Sequence, residues 1–225
     1  MSAKNHISAA LEQELAFLKT QILDMADLVG TQVAGAVAAM VSGAVESAKA
    51  LVANDRRVNR AELAIDERCI RILALQQPAA SDLRFVASAL KIVTDLERIG
   101  DLAAKMAEQV PVLSSAPTLG ASRSLPAMAA EVQRMLRDVL DAFVEVDPAK
   151  AETVIAVDPR VGAATRHLIE RIETEMMRDP TLVRPGVAMI FFATHIERIA
   201  AHATNVAEMV IYLARGQDVR HPHLD

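Results

Sequence analysis

The stretch DLRFVASALKIVTDLERIGDLAAKMAEQV, Asp82 to Val110, returns one hundred residues later as LVRPGVAMIFFATHIERIAAHATNVAEMV, Leu182 to Val210. The two align without a gap: Arg84 falls on Arg184, Thr94 on Thr194, and Glu97-Arg98-Ile99 on Glu197-Arg198-Ile199. Ala103 falls on Ala203, and Ala107-Glu108 on Ala207-Glu208. Self-similarity at a fixed offset marks an internal repeat, and it narrows the possible folds before any local pattern is read. A chain of 225 residues built this way is two similar halves packed together. The copies differ where chemistry would sit, because Asp101 in the first is Ala201 in the second.

Composition selects the class of fold. Hydrophobic residues make up 52% of the chain, but aromatic residues are only 3% and Trp is absent. The core must therefore be Ala, Leu, Val, Ile and Met, which suits helix packed on helix. Eight Gly and nine Pro are too few for a many-turned β chain. The expectation is an all-α protein. A formal charge of −5 and a pI near 5.7 give no basic surface for nucleic acid. The lone Cys69 cannot form an internal disulfide, which favours a reducing cytoplasm. Polar residues interrupt MSAKNHISAALEQELAFLK, so it lacks the apolar centre of a signal peptide. The apolar run from Val187 to Ala193 falls short of the roughly 20 residues that span a bilayer. A cytoplasmic protein without membrane insertion is expected.

Leu11, Leu15, Leu18, Ile22, Met25 and Val29 recur at helical spacing, and no proline interrupts the chain from Ile7 to Ala53. The small residues of Val33 to Ala44 are weak helix formers that would let a neighbour approach closely, so one long helix is expected there. Asn54-Asp55 would cap a second helix to about Gln76, and a third would run from Pro78 or Ser81 to about Val110. PVLSSAPTLGASRSLP, Pro111 to Pro126, has linker composition. The second half repeats the plan, with helices from about Ser124 to Val146, Asp158 to Met177 and Thr181 to Ala214, and Gly216 as the stop. The chain divides into a first three-helix repeat at 1–113, a linker at 114–123, a second repeat at 124–216 and a polar tail at 217–225.

Asp55, Asn59, Glu62 and Asp66 share one face of the second helix, and Glu97, Asp101 and Glu108 share one face of the third. At about 100° per residue, the row on the third helix lies opposite the apolar stripe Ile92, Leu96, Ile99, Ala103, Met106, Val110. It should turn away from the core. Like charges at i, i+4 repel by about 0.2–0.5 kcal/mol a pair. Clustered carboxylates with an amide make a hard oxygen site for Mg, Mn, Ca or iron, or else a solvated face with Arg98 and Lys105 as counterions. His195 and His202 lie on one face beside Glu197, as further nitrogen ligands or as solvated surface residues. Cys69 and the ten Met are read as packing, and His221 and His223 as tail residues. The sequence holds no phosphate-cradling glycine loop, CxxC pair or nucleophile elbow.

Gln77-Pro78, Asp82-Leu83-Arg84, Leu90-Lys91-Ile92 and the run from Asp95 to Asp101 resemble the first half of the PhoU family of phosphate-transport regulators. Glu197-Arg198-Ile199, the run from His202 to Glu208, Tyr212-Leu213 and Gly216 to His221 resemble its second half. The resemblance covers nearly the whole chain. It implies two three-helix bundles related by a pseudo-twofold axis, in a cytoplasmic homodimer that is not an enzyme and has no catalytic residues. It implies negative control of the phosphate-starvation response through contacts with a sensor histidine kinase and the ATPase subunit of the phosphate importer. Some relatives bind multinuclear metal clusters through E/DxxxD motifs. Those motifs are intact here at Glu62 to Asp66 and Glu97 to Asp101, with Asp55, Asn59 and Glu108 in support. In the second repeat Ala200-Ala201 and Gly162 replace expected ligands, leaving Glu197, His202, Asn205 and Glu208 as a degenerate set. Lys105 stands where an Asn is common. A divalent or iron-type ion is thus expected at the first repeat, and weak or no binding at the second. The rival reading, a carboxylate-bridged metalloenzyme of ferritin-like type, would need ligands turned inward and Glu-x-x-His motifs, which this chain lacks.

Overall fold

The glycine at position 43 ends the first helix at Ser42, eleven residues before the Ala53 that the apolar pattern suggests. In the computed structural model, α1 spans Ser2–Ser42, and Gly43 adopts φ +67°, a left-handed conformation that a residue without Cβ takes without strain. The second helix, α2, then begins at Val45 and runs Val45–Gln76, so Asn54-Asp55 lies inside it and caps nothing. The structure describes the backbone of residues 2–219 except 117–118, and side chains from residue 9 onward; His221 and His223 lie outside the described residues.

The third helix, α3, spans Ala80–Ser114, carrying Pro111 within its last turns rather than stopping at Val110. A 3-10 turn at Gly120–Ser124 leads into α4, Leu125–Glu145. Part of the stretch read as linker is well anchored: Leu119 and Ala121 are buried, and the Glu175 carboxylate accepts from the Gly120 and Ala121 amides, both at 2.8 Å. Next comes a short helix the sequence reading lacked, α5, Pro148–Ile155, capped by the Asp147 carboxylate through the Ala149 and Lys150 amides. It is followed by α6, Asp158–Arg178, and α7, Val183–Arg215, the latter closed by Gly216 at φ +70°. Pro159 favours a helix start at α6, since in the first turn its fixed φ suits the helix and its missing N–H leaves no bond unmade, whereas inside one continuous helix it would cost a hydrogen bond.

The fold is all-α, two three-helix bundles in tandem, with no strand among the described residues. Buried residues register the repeats more finely than identity does. Ile22, Met25, Ala26, Val29, Val33 and Ala36 of α1 correspond to Leu125, Met128, Ala129, Val132, Leu136 and Val139 of α4. Val58, Ile65 and Cys69 of α2 correspond to Val161, Leu168 and Ile172 of α6. On this register α5 and α6 together match the single helix α2.

The two bundles meet mainly through α3 and α7, which cross antiparallel. Arg84 near the start of α3 lies against Gly216 at the end of α7, and midway along, Asp95 meets His202 and Asn205. Ala103, Ala104, Ala107, Ala200, Ala203 and Ala207 are buried along these two helices, and their small side chains permit a close crossing. The helix α1 is long and apolar enough to cross a membrane by length and composition, contrary to the expectation that no segment is. Its Leu18, Ile22, Met25, Val29 and Val33 are nevertheless spent on the bundle core.

Candidate functional site

The acidic rows of α2 and α3 do face one another. Gly100 sets their spacing: a Cβ there would stand 3.1 Å from Val58 Cγ1 and 3.2 Å from Gln32 Oε1, so its absence draws α2 against α3. Burial raises the Asp55, Glu62, Asp66 and Glu97 carboxyls above the usual range. Asp101 adds to the rise at Asp55 and Glu97 by repulsion, and Glu97 and Asp66 do so at Glu62. Asp55 Oδ1 and Asp66 Oδ1 are buried without a hydrogen-bond partner. The Asp101 side chain is 43% exposed, and Asn59, exposed, donates weakly to Asp55 Oδ2 at 3.4 Å. Glu108 is exposed farther along α3. The row therefore forms a seam at the edge of a helix pair, open to solvent and outside the core.

The orphaned oxygens of Asp55 and Asp66 would welcome a cation, but the seam already contains one. Lys105 Nζ donates to Asp101 Oδ2 at 2.5 Å, and its charge also lowers the Asp55 and Glu97 carboxyls. Among the described residues no three His, Cys, Asp or Glu side chains converge on a point that could hold a metal ion. The carboxylates are strung along the seam, and the residues present do not fit the metal cluster that the resemblance implies.

The second seam, between α6 and α7, is poorer. Asp158 and Glu197 are both raised by burial, with Asp158 adding repulsion at Glu197, while Arg166 pulls Glu197 down. A Cβ on Gly162 would lie 3.1 Å from Glu197 Oε1 and 3.6 Å from Arg166 Nη1, so carboxylate and guanidinium share the space that glycine leaves. Glu208 lies farther along α7, partly buried.

His202 and Asn205 do not join this seam. Both are committed to Asp95 of the other repeat, His202 Nδ1 at 2.8 Å and Asn205 Nδ2 at 2.9 Å from Asp95 Oδ1. The Asp95 and His202 side chains are 13% and 12% exposed. Asp95 was missed by sequence reasoning, although the antiparallel pairing expected of duplicated central helices would have set it opposite Asn205. The pseudo-symmetric position on α7 is His195, which approaches Lys105 where Asp95 has the Asn205 amide. Its Nδ1 has no partner, and burial, with Arg198 and Lys105 adding repulsion, pushes its pKa down. Its ring stacks on the exposed Phe191. Cys69 is fully buried, and burial lifts its thiol to about 12, so it is an inert packing residue.

The PhoU domain family matches residues 22–110 and 125–210, the two repeats in turn. The phosphate-specific transport system accessory protein PhoU of Serratia marcescens is 36% identical over 221 residues, covering 98% of this chain and 91% of that protein. The PhoU homolog of Pseudomonas aeruginosa is 38% identical over the same coverage. The crystal structure of PhoU from Pseudomonas aeruginosa superposes with a TM-score of 0.88 at 37% identity, covering 92% of this chain and 99% of that one. That of the phosphate transport system regulatory protein PhoU from Streptococcus pneumoniae gives 0.86 at 30% identity, covering 93% and 99%. Two matched repeats, end-to-end relatives and the shared fold agree: the chain belongs to the PhoU family of phosphate transport system accessory proteins.

Proposed function

We propose that this protein is a cytoplasmic, non-enzymatic regulator of phosphate uptake and homeostasis. It restrains the phosphate-starvation response by contacting the sensor histidine kinase and the ATPase subunit of the phosphate importer. The observation that carries this reading is the open acidic seam of the first repeat. Carboxylates that no core requires are left at the edge of a helix pair, where charge steers encounter and fixes register with a partner. Membership of a family whose relatives are named as transport accessory proteins supports the same assignment.

Inward-facing carboxylates would favour a ferritin-like metalloenzyme instead. The buried polar side chains among the described residues are Gln32, Ser88 and Thr165, and none of them is a carboxylate. The working form is expected to be a homodimer, to be checked by sedimentation equilibrium. The regulator reading is tested by pull-down of the importer ATPase and the sensor kinase on immobilised, folded protein. Capture of at least one is expected, and failure with both overturns the reading.

A further inference from the structure

Both acidic seams contain a basic side chain beside their carboxylates. In the first, Lys105 sits one helical turn beyond Asp101 and is hydrogen-bonded to it, with Asp55 and Glu97 within reach of its charge. In the second, Arg166 stands beside Glu197 in the space left by Gly162, and Ala201 has removed the acid that corresponds to Asp101. We propose that these tethered cations, Lys105 in the first repeat and Arg166 in the second, replace metal ions in this protein, so that neither folding nor partner recognition depends on metal.

The physical case is competition at a fixed position. A hard divalent ion needs several oxygen ligands converging at bonding distance. Here one Asp101 oxygen is already taken by an ammonium, and an ion placed among Asp55, Glu97 and Asp101 would be repelled by that same charge. An ammonium on its own backbone is present at high effective concentration and cannot be dialysed away. Asn205 occupies the position on α7 that Lys105 occupies on α3. An amide in place of Lys105 would remove the positive charge and add an oxygen ligand.

The test uses the full chain, dialysed against EDTA and titrated with Mn2+ by calorimetry, with metal content measured before dialysis and thermal unfolding followed with and without chelator. Wild-type protein is expected to copurify with substoichiometric metal and to melt at the same temperature in EDTA. Lys105→Asn is expected to bind Mn2+ about tenfold tighter or more, with a melting temperature that Mn2+ raises. Lys105→Met, which removes the charge but supplies no ligand, should fall between the two. Stoichiometric metal in the wild type, a melting temperature lowered by EDTA, or Lys105→Asn binding Mn2+ no tighter than the wild type would each overturn the proposal. The wild-type readouts decide it even if a variant fails to fold. None of them depends on partner capture, so the two proposals fail separately.

Discussion

Gln32 of α1 and Met135 of α4 occupy the same place in the two repeats, and both are buried. Met135 is an ordinary packing residue, whereas both side-chain polar atoms of Gln32 lack a hydrogen-bond partner. The same contrast recurs across the molecule. Ser88, buried and unpartnered, corresponds to Ala188. The first seam holds four carboxyls raised by burial, the second only Asp158 and Glu197. One duplicated frame has thus diverged, with more of the unpartnered buried polarity in the first repeat (Gln32, Asp55, Asp66, Arg84 and Ser88) than in the second (Thr165, His195 and Thr204). Function that needs charge at a surface is drawn toward the half that carries the energetic strain.

The largest expected effect lies at the junction of the halves. Removing Asp95 strands His202 and Asn205, each partly buried, so Asp95→Ala should destabilise by about 3 kcal/mol in urea unfolding. Its counterpart His195 has no hydrogen bond at Nδ1 to lose, and His195→Leu should change stability by less than about 0.5 kcal/mol. Equal effects at the two positions would erase the asymmetry.

Next comes Gln32→Met, which copies the second repeat into the first. Replacing an unpartnered buried amide by an apolar side chain of similar length should stabilise by about 1–2 kcal/mol in the same assay. Destabilisation would reveal a partner for Gln32 that the monomer lacks.

A smaller exchange concerns the turns after α1 and α4, where Gly43 (φ +67°) and Val146 (φ +52°) both end a helix in the left-handed conformation. Val146→Gly should gain about 1 kcal/mol, and Gly43→Val should lose a similar amount, both read from thermal melts.

The pH effect is the mildest. A carboxyl whose folded pKa lies above its unfolded value holds its proton more tightly when folded. Its stabilising contribution is full below the unfolded pKa and is lost as pH rises through the folded one. Lowering the pH from neutral toward 4.5, the ordinary glutamate value, should therefore raise stability. Glu62→Gln, which relieves repulsion from Glu97 and Asp66, should recover about 0.5 kcal/mol at pH 7 and flatten the pH profile.

The helical class and the duplication were legible because both live in local periodicity and in identity at a fixed offset. Gly43 was not, since a glycine inside a run of small residues reads equally as a close-packing position and as a helix stop; only its backbone angle separates the two. Pro159 was passed over for a similar reason: Asp158-Pro159 looks like a helix start whether or not another helix precedes it. The outward acids of α3 were readable from angular position alone. Asp95 was not, because its partners come from the other repeat and depend on how α3 crosses α7. His202 and Asn205, grouped with Glu197 by sequence proximity, were drawn away by that same crossing.

The central claim is that the first seam recognises a partner through its own carboxylates and without metal. Its most direct measurement is the affinity of the purified importer ATPase for this protein in EDTA, compared between wild type and an Asp55→Asn, Glu62→Gln, Asp66→Asn triple variant. Wild-type binding should survive the chelator, and the variant should bind about tenfold more weakly or worse. Binding that EDTA abolishes, or that the neutralised seam leaves untouched, would contradict it.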